Sequence, residues 1–290
     1  MKSNTEGGLI MPTIHMRYPG GLAKAVTFSY DDAVEQDVRL IEILDTYGLH
    51  GTFNINTGLF APEGKIFPEG QVHRRMTEAE ALAAYSSGRH EVAVHGATHP
   101  FLEQLSVPNA AWEIVADKQR IEDLFGTVCR GMAYPFGTTS DAVVGILETA
   151  GILYARTVAP SNSLEFPLDN WLRLNPTCHH NSAQLMPLAQ KLVNDKPRRR
   201  PWLLYVWGHA YEFESDNNWN VIEEFASFVS GKEDIWYATN REIFEYAEAF
   251  NSLIFSSRGD RVYNPTCREL FFFKDRLYSV KPGETIEVKI

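Results

Sequence analysis

The stretch Lys24-Ala25-Val26-Thr27-Phe28-Ser29-Tyr30-Asp31-Asp32-Ala33 decides the reading. Residues 24–29 are apolar and β-branched enough to form a strand, and the chain then passes through two aspartates straight into residues 34–47. That segment carries apolar residues at helical spacing and stops at Gly48, a residue suited to the position after a helix. Strand, charged junction and helix make one βα unit. The same rhythm continues to about residue 250, with strands expected at 51–56, 91–95, 131–134, 152–157, 172–175, 202–208 and 235–238. Helices are expected between them. The capping box Thr77-x-x-Glu80 opens one that ends near Gly88, and Ser106 with Pro108 opens another that reaches about Phe125. Further helices are expected near 139–149, 181–193, 219–230 and 239–249. Repeated βα units of this number predict an α/β chain with a parallel, closed or nearly closed sheet. After Asn251 the pattern changes to short strand-like pieces, including 271–273 and the Pro282-Gly283 turn. The expected organisation is therefore a catalytic barrel over 1–250 and a small β appendage over 251–290.

Composition narrows the function. The 290 residues are 44% hydrophobic, enough for one large core. A net charge of −10 argues against a phosphate-backbone partner, because nucleic-acid binding draws on clustered lysine and arginine. The basic run 196–200 is interrupted by Pro197 and reads as a solvated loop. Three cysteines, Cys129, Cys178 and Cys267, are too few and scattered for a disulfide framework or a thiolate zinc knuckle, so any metal must be held by histidine and carboxylate. The first 21 residues show no apolar signal core, and no run of about 18 apolar residues offers a membrane span. A cytoplasmic protein with no membrane partner is the expectation.

Four residue groups fall at the C-terminal ends of expected strands, the face on which parallel barrels carry their active sites. The first is Ser29-Tyr30-Asp31-Asp32, which a plain helix N-cap would also explain. The second is His95-Gly96-Ala97-Thr98-His99, two imidazoles four residues apart with a glycine between them. Two histidines and one carboxylate form a donor set that leaves coordination positions open, and Asp32 offers the carboxylate. The third, Tyr134-Pro135-Phe136-Gly137, bends sharply and exposes backbone N–H groups for half of an oxyanion site, or is simply a βα turn. The fourth, Gly208-His209-Ala210, follows the apolar run 202–207, where a histidine is either functional or a hydrogen-bonded core residue.

Taken in this order, the four groups resemble the motifs of the polysaccharide deacetylases, also called the NodB-homology or carbohydrate esterase family 4 enzymes. Thr27-Phe28-Ser29-Tyr30-Asp31-Asp32-Ala33 is similar to the first motif, His95-x-x-x-His99 to the second, Tyr134-Pro135-Phe136-Gly137 to the third and His209 to the last. The resemblance spans about residues 24–250. It implies a distorted (β/α) barrel of about seven strands. It also implies Asp31 as general base, Asp32, His95 and His99 as metal ligands, His209 as general acid and the Phe136 N–H as an oxyanion donor.

The implied activity is metal-dependent removal of acetyl groups from an N- or O-acetylated sugar or oligosaccharide. Zinc is the first choice of metal, with cobalt, nickel and manganese behind it. Tyr134, Trp171, Trp207 and Tyr211 are candidates to line the cleft and stack on a sugar face. Three positions depart from the family pattern. Ala33 replaces a glycine, Ala133 stands where many members carry an arginine that steadies the catalytic aspartate, with Arg130 a nearby substitute, and Asp169-Asn170-Trp171 only partly resembles the fourth motif. Two rival readings remain: a metal-poor hydrolase of cyclic amides or imides on the same fold, and a non-catalytic carbohydrate-binding barrel. The complete metal set disfavours the first rival, and Asp31 together with His209 disfavours the second.

Overall fold

The computed structural model describes residues 14–166 and 170–289. In chain order its elements are β1 (His15–Arg17), β2 (Lys24–Asp31), α1 (Asp37–Thr46), β3 (Gly51–Ile55), α2 (Glu78–Tyr85), β4 (Glu91–Val94), α3 (Val107–Phe125), β5 (Gly131–Ala133), α4 (Asp141–Thr149), β6 (Tyr154–Arg156), β7 (Cys178–His179), α5 (Leu185–Asn194), β8 (Trp202–Gly208), α6 (Ala210–Ser215), α7 (Trp219–Val229), β9 (Ile235–Tyr237) and α8 (Asn240–Asn251). Five short strands follow: β10 (Ile254–Phe255), β11 (Arg261–Tyr263), β12 (Leu270–Phe273), β13 (Leu277–Val280) and β14 (Thr285–Glu287).

The barrel strands run parallel in the order β6-β5-β4-β3-β2-β8-β7, and β9 pairs with the first residues of β2. Seven strands thus curl into a distorted barrel. Its two edges meet through irregular chain. Leu174 N–H donates to Ala155 O at 2.8 Å and Thr157 N–H donates to Leu174 O at 2.8 Å, after which the same segment joins β8 as β7. The strand expected at 172–175 is therefore absent. Residues Trp171–Arg173 form a 3-10 turn, and the strand that pairs with β8 begins at Cys178. The other expected strands and helices are present within a few residues of their expected limits, and α6 is an element the pattern did not suggest.

Period-two alternation decides what each face of β2 meets. Val26, Phe28 and Tyr30 point outward into the main core under the helices, where they join Leu40, Leu44, Ile114, Phe213 and Phe225. Thr27, Ser29 and Asp31 point into the barrel. Thr52 and Asn54 of β3 and Glu91 of β4 face inward as well, so much of the lumen is a hydrogen-bonded column. Near its floor, Thr52 Oγ1 donates to Glu91 Oε2 at 2.8 Å, and the Asn240 amide donates to Tyr205 Oη at 2.7 Å. Higher up, Asn54 Nδ2 donates to Ser29 Oγ at 2.9 Å.

Residues beyond α8 form two antiparallel three-stranded sheets, β1-β12-β13 and β10-β11-β14. The N-terminal strand β1 belongs to the first, pairing Met16 with Phe272. Leu270, Phe272, Tyr278 and Val280 pack with Tyr18, Tyr154, Phe244 and Tyr246 into a second core on the barrel's flank. Among the described residues no helix is long and apolar enough to cross a membrane.

Candidate active site

At the C-terminal mouth of the barrel, β2 ends in Asp31 with Asp32 next to it, His95 directly follows β4 and the loop beyond delivers His99. Ligand atoms of Asp32, His95 and His99 lie within 4.8 Å of one another. Asp32 Oδ1 is 3.8 Å from both His95 Nε2 and His99 Nε2. His95 is buried, and its Nδ1 is paired with Ala133 O at 2.8 Å, which turns Nε2 inward with no hydrogen-bond partner. A buried ring nitrogen without a partner is costly unless something binds it, and the donor set suits a transition-metal ion. The residues therefore fit the divalent ion that the sequence suggested. Burial lowers the pKa of both imidazoles, that of His99 to about 4, which keeps them neutral and able to donate a lone pair.

Asp31 sits between this cluster and His209. Its Oδ2 is 3.8 Å from His95 Nε2 and 3.9 Å from His209 Nε2. Burial pushes its pKa up, but Arg156 and then His95 and His209 outweigh it, and the net shift is downward. The guanidinium of Arg156 is buried in the lumen, with Nη2 at 2.6 Å from Asp31 Oδ1 and Nε donating to Ser29 Oγ at 3.1 Å. Whether Arg130 takes the place of the arginine missing at Ala133 is thereby answered. Arg130 lies at the opposite end of the barrel, where it pairs with Glu245 of α8, and Arg156 from β6 reaches Asp31 instead. Asp32 is also held ionised. Burial opposes this, but the His73 hydrogen bond at 3.2 Å and the Arg75 guanidinium at 3.1 Å depress its pKa strongly.

His209 follows β8 and caps α6. Its Nδ1 is 3.2 Å from Glu212 Oε2, which also accepts from the His209 N–H at 3.0 Å. Burial alone would lower the His209 pKa, but Glu212 and then Asp31 and Asp32 raise it. Glu212 stays ionised despite burial because His179 and His209 hydrogen-bond to it.

Two acids of α3 hold the loop from His95 to His99. Asp117 accepts from His95 N at 3.0 Å and Thr57 N at 2.8 Å, and Glu113 accepts from Thr98 N at 2.7 Å. Six non-glycine residues among those described have a left-handed backbone, and four of them belong to this site: Asp32 (φ 90°), Ala33 (φ 52°), His99 (φ 55°) and Phe136 (φ 58°). Each such residue costs on the order of 1–2 kcal/mol, a strain that clusters where function fixes geometry. Ala33 thus adopts, at some cost, the conformation for which a glycine would be the natural choice.

The third motif forms a 3-10 turn over Pro135–Gly137, kinked at Phe136. The Phe136 ring lies 4.5 Å from His99 and stacks on Phe101 at 3.8 Å. Of the candidate sugar-stacking aromatics, Trp207 and Tyr211 flank His209, at 5.8 and 5.3 Å between ring centroids. The other two are placed differently. Tyr134 is 1% exposed and donates its hydroxyl to Leu172 O, and Trp171 packs in the second core with its indole N–H on Glu248 of α8. Neither ring presents a face to the cleft, because alternation along the chain and the turn at 171–173 direct both into packing. Asp169 lies outside the described residues.

Sequence reading missed Arg156, Glu212, His73 and Arg75. Two of these carried a signal, a lone arginine inside an apolar strand and the His209-x-x-Glu212 spacing of a capping box. His73 and Arg75 come from a long loop and carried none.

Fold and cluster together define a class: a distorted parallel α/β barrel whose mouth gathers paired aspartates, the imidazoles of His95, His99 and His209 and a buried arginine. Within that class, residues 18–155 match the family model described as polysaccharide deacetylase. Its fold is similar to that of a Mycobacterium smegmatis protein described as a polysaccharide deacetylase (18% identity, TM-score 0.57, 83% of this chain and 95% of that one). It is also similar to the family 4 carbohydrate esterase from Streptomyces lividans, solved in complex with acetate (16% identity, TM-score 0.50, 75% of this chain and 93% of that one). Against the Streptococcus pyogenes deacetylase PplD the identity is 20% and the TM-score 0.44, covering 51% of this chain and 61% of that one. No curated protein matches the sequence.

Proposed function

We propose that this protein is a metal-dependent hydrolase that removes acetyl groups from an acetylated sugar or oligosaccharide. The observation that carries the reading is the position of Asp31, with one oxygen 3.8 Å from His95 and 3.9 Å from His209. A base for water and an acid for the leaving group are thereby set on either side of one small space. The family match and the fold shared with an esterase solved with acetate support the same chemistry.

Asp32, His95 and His99 are the residues that would hold a divalent ion, zinc first. When bound, such an ion polarises the acetyl carbonyl and acidifies water. Asp31, kept ionised by Arg156, accepts the proton of the attacking water. The backbone N–H of Phe136 donates to the oxygen that becomes negative. His209 holds a proton on Nε2 while its Nδ1 side faces Glu212, and Nε2 delivers that proton to the departing amine or alkoxide. Trp207 and Tyr211 beside His209 are apolar walls against which a sugar ring packs.

The test is acetate release from N-acetylated amino sugars, chitooligosaccharides and acetylated xylan by metal-stripped protein, with and without zinc, cobalt, nickel or manganese. Release restored by metal is the expected result, and its loss in Asp31→Ala is expected with it. An Asp31→Ala protein with full turnover, or no release with any metal, would sink the proposal.

A further inference from the structure

We propose that His179, His180 and Glu212 form a second site for a divalent transition-metal ion, beside His209 on the Nδ1 side of its ring. His179 Nε2 and His180 Nε2 lie 3.1 and 3.4 Å from Glu212 Oε2, and one ligand atom from each of the three residues falls within 4.8 Å of the others. Edges of about 3.3 Å are what tetrahedral coordination at roughly 2.0–2.1 Å produces. Two imidazoles and one carboxylate are borderline donors, suited to zinc, copper or nickel and poorly suited to calcium or magnesium.

His180 distinguishes this cluster from an ordinary hydrogen-bonded group. Its side chain is wholly buried, and neither ring nitrogen has a hydrogen-bond partner. An imidazole buried in this way loses its hydration and gains no hydrogen bond in return. The surroundings fix it in place. Its ring is stacked against Phe213 at 4.1 Å and Tyr30 at 5.7 Å. Gly208 supplies the space, since a Cβ there would meet His180 Nδ1 at 2.1 Å. Nε2 is thereby held 3.4 Å from Glu212 Oε2 without a hydrogen bond to it. His179 closes the third side, with its ring 4.3 Å from that of His180.

The site is coupled to the mouth of the barrel through a shared atom. Glu212 Oε2 is the partner of His209 Nδ1 at 3.2 Å, so an ion that takes this oxygen competes with the contact that orients His209. Filling the second site therefore suppresses proton delivery by His209, a consequence that rests on the proposed deacetylase reading. The metal site itself does not.

The experiment counts ions. Metal-free protein is dialysed against increasing zinc and its metal content measured, with cobalt absorption spectra as an independent readout of nitrogen ligation. His180→Phe preserves the aromatic stack and removes both ring nitrogens, and His179→Ala, at the half-exposed side of the cluster, guards against misfolding of the first variant. Wild type is expected to hold one ion more than either variant, and His95→Ala is expected to retain the ion that His180→Phe loses. Acetate release by wild type should fall as zinc exceeds one equivalent, and in His180→Phe it should not. If both variants hold as many ions as wild type, the second site does not exist. Because the count requires no turnover, a failed deacetylase assay with an intact count overturns the activity reading and leaves this site standing.

Discussion

A carboxylate proposed to take a proton from water must remain ionised after it has been buried, and at Asp31, the proposed base, that work falls first to Arg156. Removing one partner of a buried pair leaves an uncompensated charge, so Arg156→Met is expected to destabilise the protein by ~3–5 kcal/mol in denaturant titrations and to abolish acetate release. The double variant Arg156→Met, Asp31→Asn should recover much of the stability and none of the activity. At His209 the relevant quantity is a pKa. Burial lowers it, but Glu212 and the two aspartates raise it on balance above the ordinary imidazole value, so the protonated form persists to higher pH than in a free imidazole and activity falls as pH rises beyond that pKa. Glu212→Gln removes the stabilising charge, and the alkaline limb of the kcat profile is expected to move to lower pH. An unmoved limb would assign it to another group.

Secondary-structure elements act on the site at one remove. Helix α3 carries Glu113 and Asp117 one turn apart, and both accept from the loop that holds His95 and His99, the proposed metal ligands. Burial raises the Asp117 pKa to about 6, yet both its oxygens are already engaged by N–H donors. In Asp117→Asn one of those amides must face an NH2 group, whichever way the side chain is turned. An unmet buried donor costs ~1–3 kcal/mol, and loss of such an outer partner typically weakens metal binding ~10–100-fold. Zinc affinity measured with a chelating indicator is the check. The strand positions and the two aspartates, together with the His95 and His99 pair, were legible because they rest on local pattern. Arg156 was not tied to Asp31, because that contact joins β6 to β2 across the lumen and no local spacing encodes it. The turn at 171–173 was misread as a strand because Trp171 packs on the second core and Leu172 on the main one instead of joining a ladder.

For the whole molecule, the C-terminal sheets and one flank of the barrel share the second core. Leu270, Phe272 and Val280 are fully buried against residues of β1, β6 and α8. A chain ending at residue 251 exposes that face, and it is expected to melt well below the full chain or to aggregate on expression; an unchanged melting temperature would mean that the sheets fold independently. The polar column inside the barrel has a further, calorimetric consequence. Exposure of apolar surface raises the heat capacity on unfolding, while exposure of polar surface lowers it. Because unfolding releases Thr52, Asn54, Glu91, Arg156 and Asn240 from the interior in place of aliphatic side chains, the heat-capacity increment should fall below the common ~12–15 cal/mol/K per residue. A smaller increment bends the free-energy curve less, so stability should vary gently with temperature, with cold and heat denaturation set far apart.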